Sequence, residues 1–285
     1  NMADLMRSNG KIYVVVAVIA LIFIGLMGYL YRIDKRVKKL ENKMKKTDTV
    51  LSESENNDHW GGVSPDLISA VDISDYPKIL SYSPTFYDEN NNEINFINAL
   101  IQNGVNTIRL RLWVNPIDES SSLQEVKAFS DELKGLGFKI LLTPHFSDTW
   151  AHPGQQQIPT NWESLSFEEL KNQLYSHISQ IMSEINPDYI QIGNEINTGI
   201  LFPHGDIMDN QDQFIELVNA GVDAVRNNST NTKIILHCAG FESSNWFFNI
   251  VKEVDYDIAG ISYLSLIHIS EPTRRRGISY AVFCL

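Results

Sequence analysis

Between residues 68 and 263, short runs rich in β-branched and apolar residues alternate with stretches of helical periodicity. No other feature of the chain limits its fold as strongly. Strands are expected over 68–73, 105–113, 139–146, 189–195, 233–239 and 257–263, runs too short and too β-branched for helices. Helical patterns separate them at 94–102, 123–136, 167–185, 211–226 and 245–254. Gly104 and Gly137 stand where helix C-terminal caps belong, each just ahead of a strand. Strand and helix in strict alternation imply a parallel sheet with helical crossovers. No Gly-rich phosphate loop follows any strand, which favours a (β/α)8 TIM barrel over a doubly wound sheet. Six βα units are two short of closure, so the expectation is an α/β fold with an incomplete barrel over residues 65–263.

The flanking segments have a different character. Residues 12–31 are twenty in a row without a charge, long enough for one transmembrane helix and too long for a signal-peptide core. Eight Lys and Arg residues, from Arg32 to Lys46, follow this run, against Arg7 and Lys11 before it. The positive-inside rule then puts everything downstream in the cytoplasm. Ile33, Val37, Leu40 and Met44 could continue the helix as a short coiled-coil seam, the alternative being a solvated basic juxtamembrane helix. Residues 1–46 form this unit, and 47–64 read as a polar, acidic linker. At the other end, residues 264–285 read as a non-native tail.

Charge follows the same division. Of the formal net charge of −12, residues 1–46 carry +7, which leaves −19 on the rest. An acidic body has no general attraction for phosphate, so nucleic acid is excluded as a partner. The two cysteines, Cys238 and Cys284, support neither a disulfide framework nor a metal cluster. Five Trp, eleven Tyr and thirteen Phe suit a protein that stacks rings on sugars, though cores use aromatics too.

In a barrel of this kind, functional groups gather at the C-terminal strand ends. Glu195, with Asn194 beside it, ends the expected fourth strand. A carboxyl there can protonate a glycosidic oxygen, and the Asn amide can bond a sugar hydroxyl. The alternative for Glu195 is to cap the next helix. Arg109 and Arg111 alternate with Leu110 and Leu112, so the two arginines share one face of the second strand. With the leucines toward the helices, the arginines point into the barrel and need partners, with Asp72 and the catalytic carboxylates available. A purely structural ion pair is the other reading. Trp113 and Trp150 could stack on a pyranose, and His145 and Asp148 could bond its hydroxyls, although a lone Trp is often core. His237 on the fifth strand is a weaker candidate, equally readable as a satisfied core histidine. No metal-ligand spacing, GxSxG elbow or phosphate loop occurs.

The segments VDISDYP, NTIRLRLWVNP, HFSDTWAHPGQQ, QIGNEINTG and WFFNIV with DIAGISY, in that order, resemble family 53 of the glycoside hydrolases over roughly residues 69–263. That resemblance implies an arabinogalactan endo-β-1,4-galactanase with catalytic glutamates after the fourth and seventh strands, hydrolysing β-1,4-galactan side chains of pectin with retention. It implies Glu195 as general acid/base and Asn194 as its sugar-binding neighbour. Arg109, His145, Asp148 and Trp150 would line the cleft, with Arg111, Trp113, His237 and Tyr263 as further candidate substrate contacts. It implies no required cofactor; some members hold calcium, at a site not visible in this sequence. Thr143-Pro144 and His152 depart from the family pattern. The seventh-strand nucleophile has no counterpart, so the chain as written is expected to be inactive. A membrane-anchored, non-catalytic galactan-binding protein is the alternative. Residues 1–45 resemble the small cytochrome c maturation membrane protein of Bacteroidetes-type bacteria, which opens a third reading: a maturation component misjoined to a hydrolase fragment. A polysaccharide hydrolase belongs outside the cytoplasm, against the charge bias, so residues 1–46 are expected not to be its native leader. LSLIHISEPTR, at 264–274, resembles a translated sequencing adapter, so Glu271 within it is no substitute nucleophile.

Overall fold

A computed structural model of the chain describes residues 67–262 and the backbone of Val282–Cys284. Its contacts divide the chain into two units, Asn1–Leu67 and Ile68–Leu285, and the elements that follow belong to the second. The expected transmembrane run at 12–31, the linker, Tyr263 and most of the tail lie outside the described residues. Among the described residues, no helix is long and apolar enough to cross a membrane.

Six parallel strands follow one another in chain order: β1 (Ala70–Asp72), β2 (Thr107–Leu112), β3 (Lys139–Pro144), β4 (Tyr189–Gln191), β5 (Lys233–Ala239) and β6 (Ile258–Ser262). Sequential parallel order with one crossover per step is barrel topology. The register sets Asp72 opposite Arg109, Arg109 opposite Leu141, Gln191 opposite Ile235 and His237 opposite Gly260. Val282–Cys284 pairs with β6 in the antiparallel sense. The crossovers run through α1 (Phe96–Gln102), α2 (Leu123–Gly135), α3 (Phe167–Glu184), α4 (Gln211–Asn228) and α5 (Phe241–Ile250).

Local chemistry explains the helix starts. Ser166 and Glu169 close a reciprocal capping box at α3, satisfying two of the first turn's free N–H groups. Ser122 caps α2 by accepting the Glu125 N–H. Leu170, Leu174, Ile178 and Ile181 on α3 meet Phe214, Leu217, Val218 and Val222 on α4 in one continuous buried core with Ile108, Leu110 and Leu112 of β2. The leucine face of β2 therefore joins that core, as period-two alternation requires. Gly104 and Gly137 adopt φ of +77° and +92° just past their helices.

Element ends depart from expectation in two places that matter. β4 stops at Gln191 rather than 195, because Gly193 (φ +82°) and Glu195 (φ +52°) both turn into left-handed backbone that a strand cannot hold. Helix α5 begins at Phe241 rather than 245, immediately after Gly240, and ends at Ile250 rather than 254. Two short hairpins, Phe86–Tyr87 with Glu93–Ile94 and Gly199–Ile200 with Gly205–Asp206, have no counterpart in the expected pattern.

Candidate active site

Glu195 sits on the bend just past β4. Two residues upstream, a Cβ on Gly193 would lie 2.5 Å from Ile196 Cγ2 in a backbone already at positive φ, so only glycine fits the approach. The Glu195 peptide is held from both sides. Its N–H donates to His237 Nδ1 at 3.2 Å, and Gln156 Nε2 donates to the carbonyls of Asn194 and Glu195 at 2.9 and 3.3 Å. Glu195 lines a cavity of about 250 Å³ together with Arg109, Trp150, His152, Asn194, His237 and Ser262. Glu195 is the only carboxylate among the described lining residues.

Arg109 organises the floor. Its guanidinium donates to Asp72 Oδ2, to Gln191 Oε1 (3.0 Å) and to Asn194 Oδ1 (2.9 Å). A buried charge is tolerated when it is paired and hydrogen-bonded, and all three nitrogens of this guanidinium have an acceptor. Asn194 Nδ2 donates to the Ala151 carbonyl at 2.9 Å, so one of its two N–H bonds remains for a ligand. The amide cannot flip, because Arg109 dictates which end is oxygen.

Arg111 does something else. Its guanidinium lies over both indoles, 4.3 Å from the Trp113 ring centroid and 4.4 Å from that of Trp150, and donates to Asp75 and Ser121. Cation–π contacts of this kind fix the plane of Trp150. That indole is 39% exposed and forms part of the cavity wall. Trp113 is thus a support for Arg111 and does not line the cavity.

His145 and His237 are both buried. His145 Nδ1 accepts the Ala151 N–H at 3.0 Å, and the ring stands edge-on to Trp150 with centroids 5.4 Å apart. Burial, then the positive charges of Arg109 and Arg111, hold its pKa well below 6.5, so it is neutral. For His237, burial and then Arg109 lower the value to about 3. A neutral ring whose Nδ1 accepts carries its proton on Nε2, which donates to Ser262 Oγ at 2.9 Å.

Asp148 is not among the cavity-lining residues. Its oxygens accept the backbone N–H groups of Asn115 (3.0 Å) and Thr160 (2.8 Å), tying two loops together. The structure thus brings together Arg109, Asn194, Glu195, Trp150 and His237, places His145, Arg111 and Trp113 behind the wall, and sets Asp148 apart. Tyr263 lies outside the described residues. Sequence reasoning passed over Gln156, Gln191 and Ser262; Gln156 stands in the quoted HPGQQ segment and Gln191 four residues before Glu195, which was the available signal. Among the described residues no group of three or more His, Cys, Asp or Glu could hold a metal ion.

A sequential parallel βα sheet with an Asn-Glu pair past the fourth strand, an arginine fixing the Asn, and an indole on the wall defines a barrel-type glycosidase domain. The chain belongs to glycosyl hydrolase family 53, whose profile matches residues 68–275. It is 36% identical to the Ignisphaera aggregans GH53 catalytic domain, with a TM-score of 0.65 over 71% of this chain and 61% of that one. A solved fungal β-1,4-galactanase is 29% identical, with a TM-score of 0.62 over 68% of this chain and 62% of that one. The arabinogalactan endo-β-1,4-galactanase A of Aspergillus niger is 33% identical over 180 residues, 58% of this chain and 51% of that protein. The chain thus spans between 51% and 62% of the length of these relatives. Residues 1–41 match the profile of the CcmD family protein.

Proposed function

We propose that this chain carries the acid/base half of a retaining endo-β-1,4-galactanase acting on β-1,4-galactan or arabinogalactan. The observation that carries the reading is Glu195 in the lining of a cavity shared with the Arg109–Asn194 pair and Trp150. In this reading Glu195 protonates the glycosidic oxygen and then, ionised, takes a proton from water. The free Asn194 N–H bonds the hydroxyl next to the reacting carbon, and Trp150 stacks on a galactose face. The retaining reaction needs a second carboxyl about 5 Å away. Glu195 alone supplies a carboxyl among the described lining residues, so the nucleophile comes from outside them, and residues 67–262 alone bind galactan without turning it over. A polymeric substrate places the barrel outside the cytoplasm, which separates its role from that of the CcmD-like residues 1–41.

Calorimetry of the full chain with β-1,4-galactotetraose tests the binding half. Saturable binding, little changed by Glu195→Gln, is expected. The catalytic half is tested in a chimera in which the C-terminal strands of the Ignisphaera aggregans domain follow Ser262. Reducing ends should be released from galactan, and Glu195→Gln should cut that rate by about 10²–10⁴-fold. Turnover unchanged by Glu195→Gln removes Glu195 from the role. Binding without turnover even in the chimera is the outcome for the rival reading, a non-catalytic galactan-binding protein, which the single cavity carboxylate favours.

A further inference from the structure

His237 meets the cavity, yet both of its ring nitrogens are engaged within the protein. Nδ1 accepts the Glu195 N–H at 3.2 Å, and Nε2 donates to Ser262 Oγ at 2.9 Å. Neither nitrogen is left to bind a sugar hydroxyl without breaking one of these bonds. The peptide that Nδ1 holds is also the one that most needs holding. Glu195 has φ +52°, a left-handed conformation that non-glycine residues keep only when their surroundings over-determine it. The main chain of His237 adds a second tie, its carbonyl accepting the Ile196 N–H at 2.9 Å. Gln156 secures the carbonyl oxygens of the same two peptides, so the bend is gripped on its donor and acceptor sides. The Glu195 N–H, which can only donate, fixes the tautomer: Nδ1 carries the lone pair, and the proton on Nε2 goes to Ser262 Oγ.

We infer that His237 is a positioning residue, its Nδ1 fixing the strained Glu195 peptide so that the carboxyl projects into the cavity. The inference rests on Glu195 being the acid/base, and it assigns His237 no contact with substrate.

The test uses the full chain, labelled with ¹⁵N, and three readouts: the shift and exchange rate of the Glu195 amide, the imidazole ¹⁵N shifts, and the affinity for β-1,4-galactotetraose. In the wild type, the Glu195 amide should be protected from exchange and His237 Nδ1 should show the shift of an unprotonated, accepting nitrogen. His237→Asn places an amide oxygen near the Nδ1 position and should retain the protection. His237→Gln reaches the Nε2 position and leaves Nδ1 vacant, so the Glu195 amide should exchange at least tenfold faster and galactotetraose should bind more weakly. A role limited to filling volume predicts equal effects of Asn and Gln, and that result overturns the inference. So does a wild-type His237 with its proton on Nδ1, a readout that requires no variant to fold. Intact amide and imidazole signatures in a chain that binds no galactotetraose support the positioning role and sink the galactan reading. Galactotetraose binding with an unprotected Glu195 amide does the reverse.

Discussion

Arg109 and Arg111 share one face of β2, two residues apart, and their surroundings give them separate tasks. Period-two alternation made their common face legible in the sequence, and Asp72 was legible as a partner of Arg109. Their division of labour was not, because it depends on which loops fold over the strand end. Arg109 reaches Gln191 and Asn194, some eighty residues away, and Arg111 reaches two indoles and Asp75. Replacing Arg109 by Met should destabilise the barrel by about 3–5 kcal/mol, since Asp72, Gln191 and Asn194 lose a buried partner together. It should also weaken galactotetraose binding strongly, because Asn194 then keeps only its bond to the Ala151 carbonyl and its Oδ1 loses its donor; a denaturation midpoint and a titration on one preparation check both. Trp150 gives the opposite pattern. At 39% exposure it contributes little to the core, so Trp150→Ala should weaken galactotetraose binding about tenfold with a nearly unchanged melting temperature. A loss near the ~3–5 kcal/mol of an emptied core aromatic site would instead make it a core residue. Asp148 illustrates what composition cannot convey. It stands in a polar, Gly- and Pro-containing loop, and its oxygens accept two backbone N–H groups from distant turns, a structural task that the loop's composition does not announce.

The helices and strands themselves were legible wherever hydrophobic period and caps agreed, as in α3, where a capping box precedes a repeat of buried apolar residues. They were less so at the β4 end. The segment through Glu195 was read as strand, and the positive φ values of Gly193 and Glu195 show that the chain has left the sheet. Helix α5 starts early because Phe241-Glu242-Ser243-Ser244, ahead of the expected start at 245, continues the helix, with Phe247 packed against Phe214 of α4. A consequence at this scale concerns His177 on α3, buried edge-on against Trp162. Burial lowers its pKa from 6.5 to about 4. Above pH 6.5 the ring is neutral in both folded and unfolded chains. As pH falls from 6.5 toward 4, the unfolded chain takes up a proton that the folded one refuses, so stability declines by about 1.4 kcal/mol per pH unit from this group. His237 adds a loss of the same sign, extending to about pH 3. His177→Phe should therefore flatten the pH dependence of the denaturation midpoint between pH 6.5 and 4. A slope identical to the wild type's would show that His177 already titrates freely in the folded state.

At the scale of the whole molecule, strand order followed from the alternation alone, since parallel neighbours in sequence need a crossover and each helical pattern supplied one. The site's position followed too, because every barrel strand delivers its C-terminal end to the same face. The antiparallel pairing of Val282–Cys284 on β6 was not foreseeable from a segment read as non-native, and it lies on the side of β6 where the next barrel strand would run parallel. The proposed function requires that Glu195 transfer the proton. The most direct measurement replaces Glu195 by Ala in the chimera and compares two substrates, galactan and an aryl β-galactobioside whose dinitrophenolate leaving group needs no protonation. Galactan hydrolysis should fall by about 10²–10⁴-fold, while the aryl substrate is still cleaved and azide accelerates that cleavage by standing in for the base-activated water. Galactan turnover at the wild-type rate, or aryl and galactan cleavage lost in equal measure with no response to azide, would contradict it.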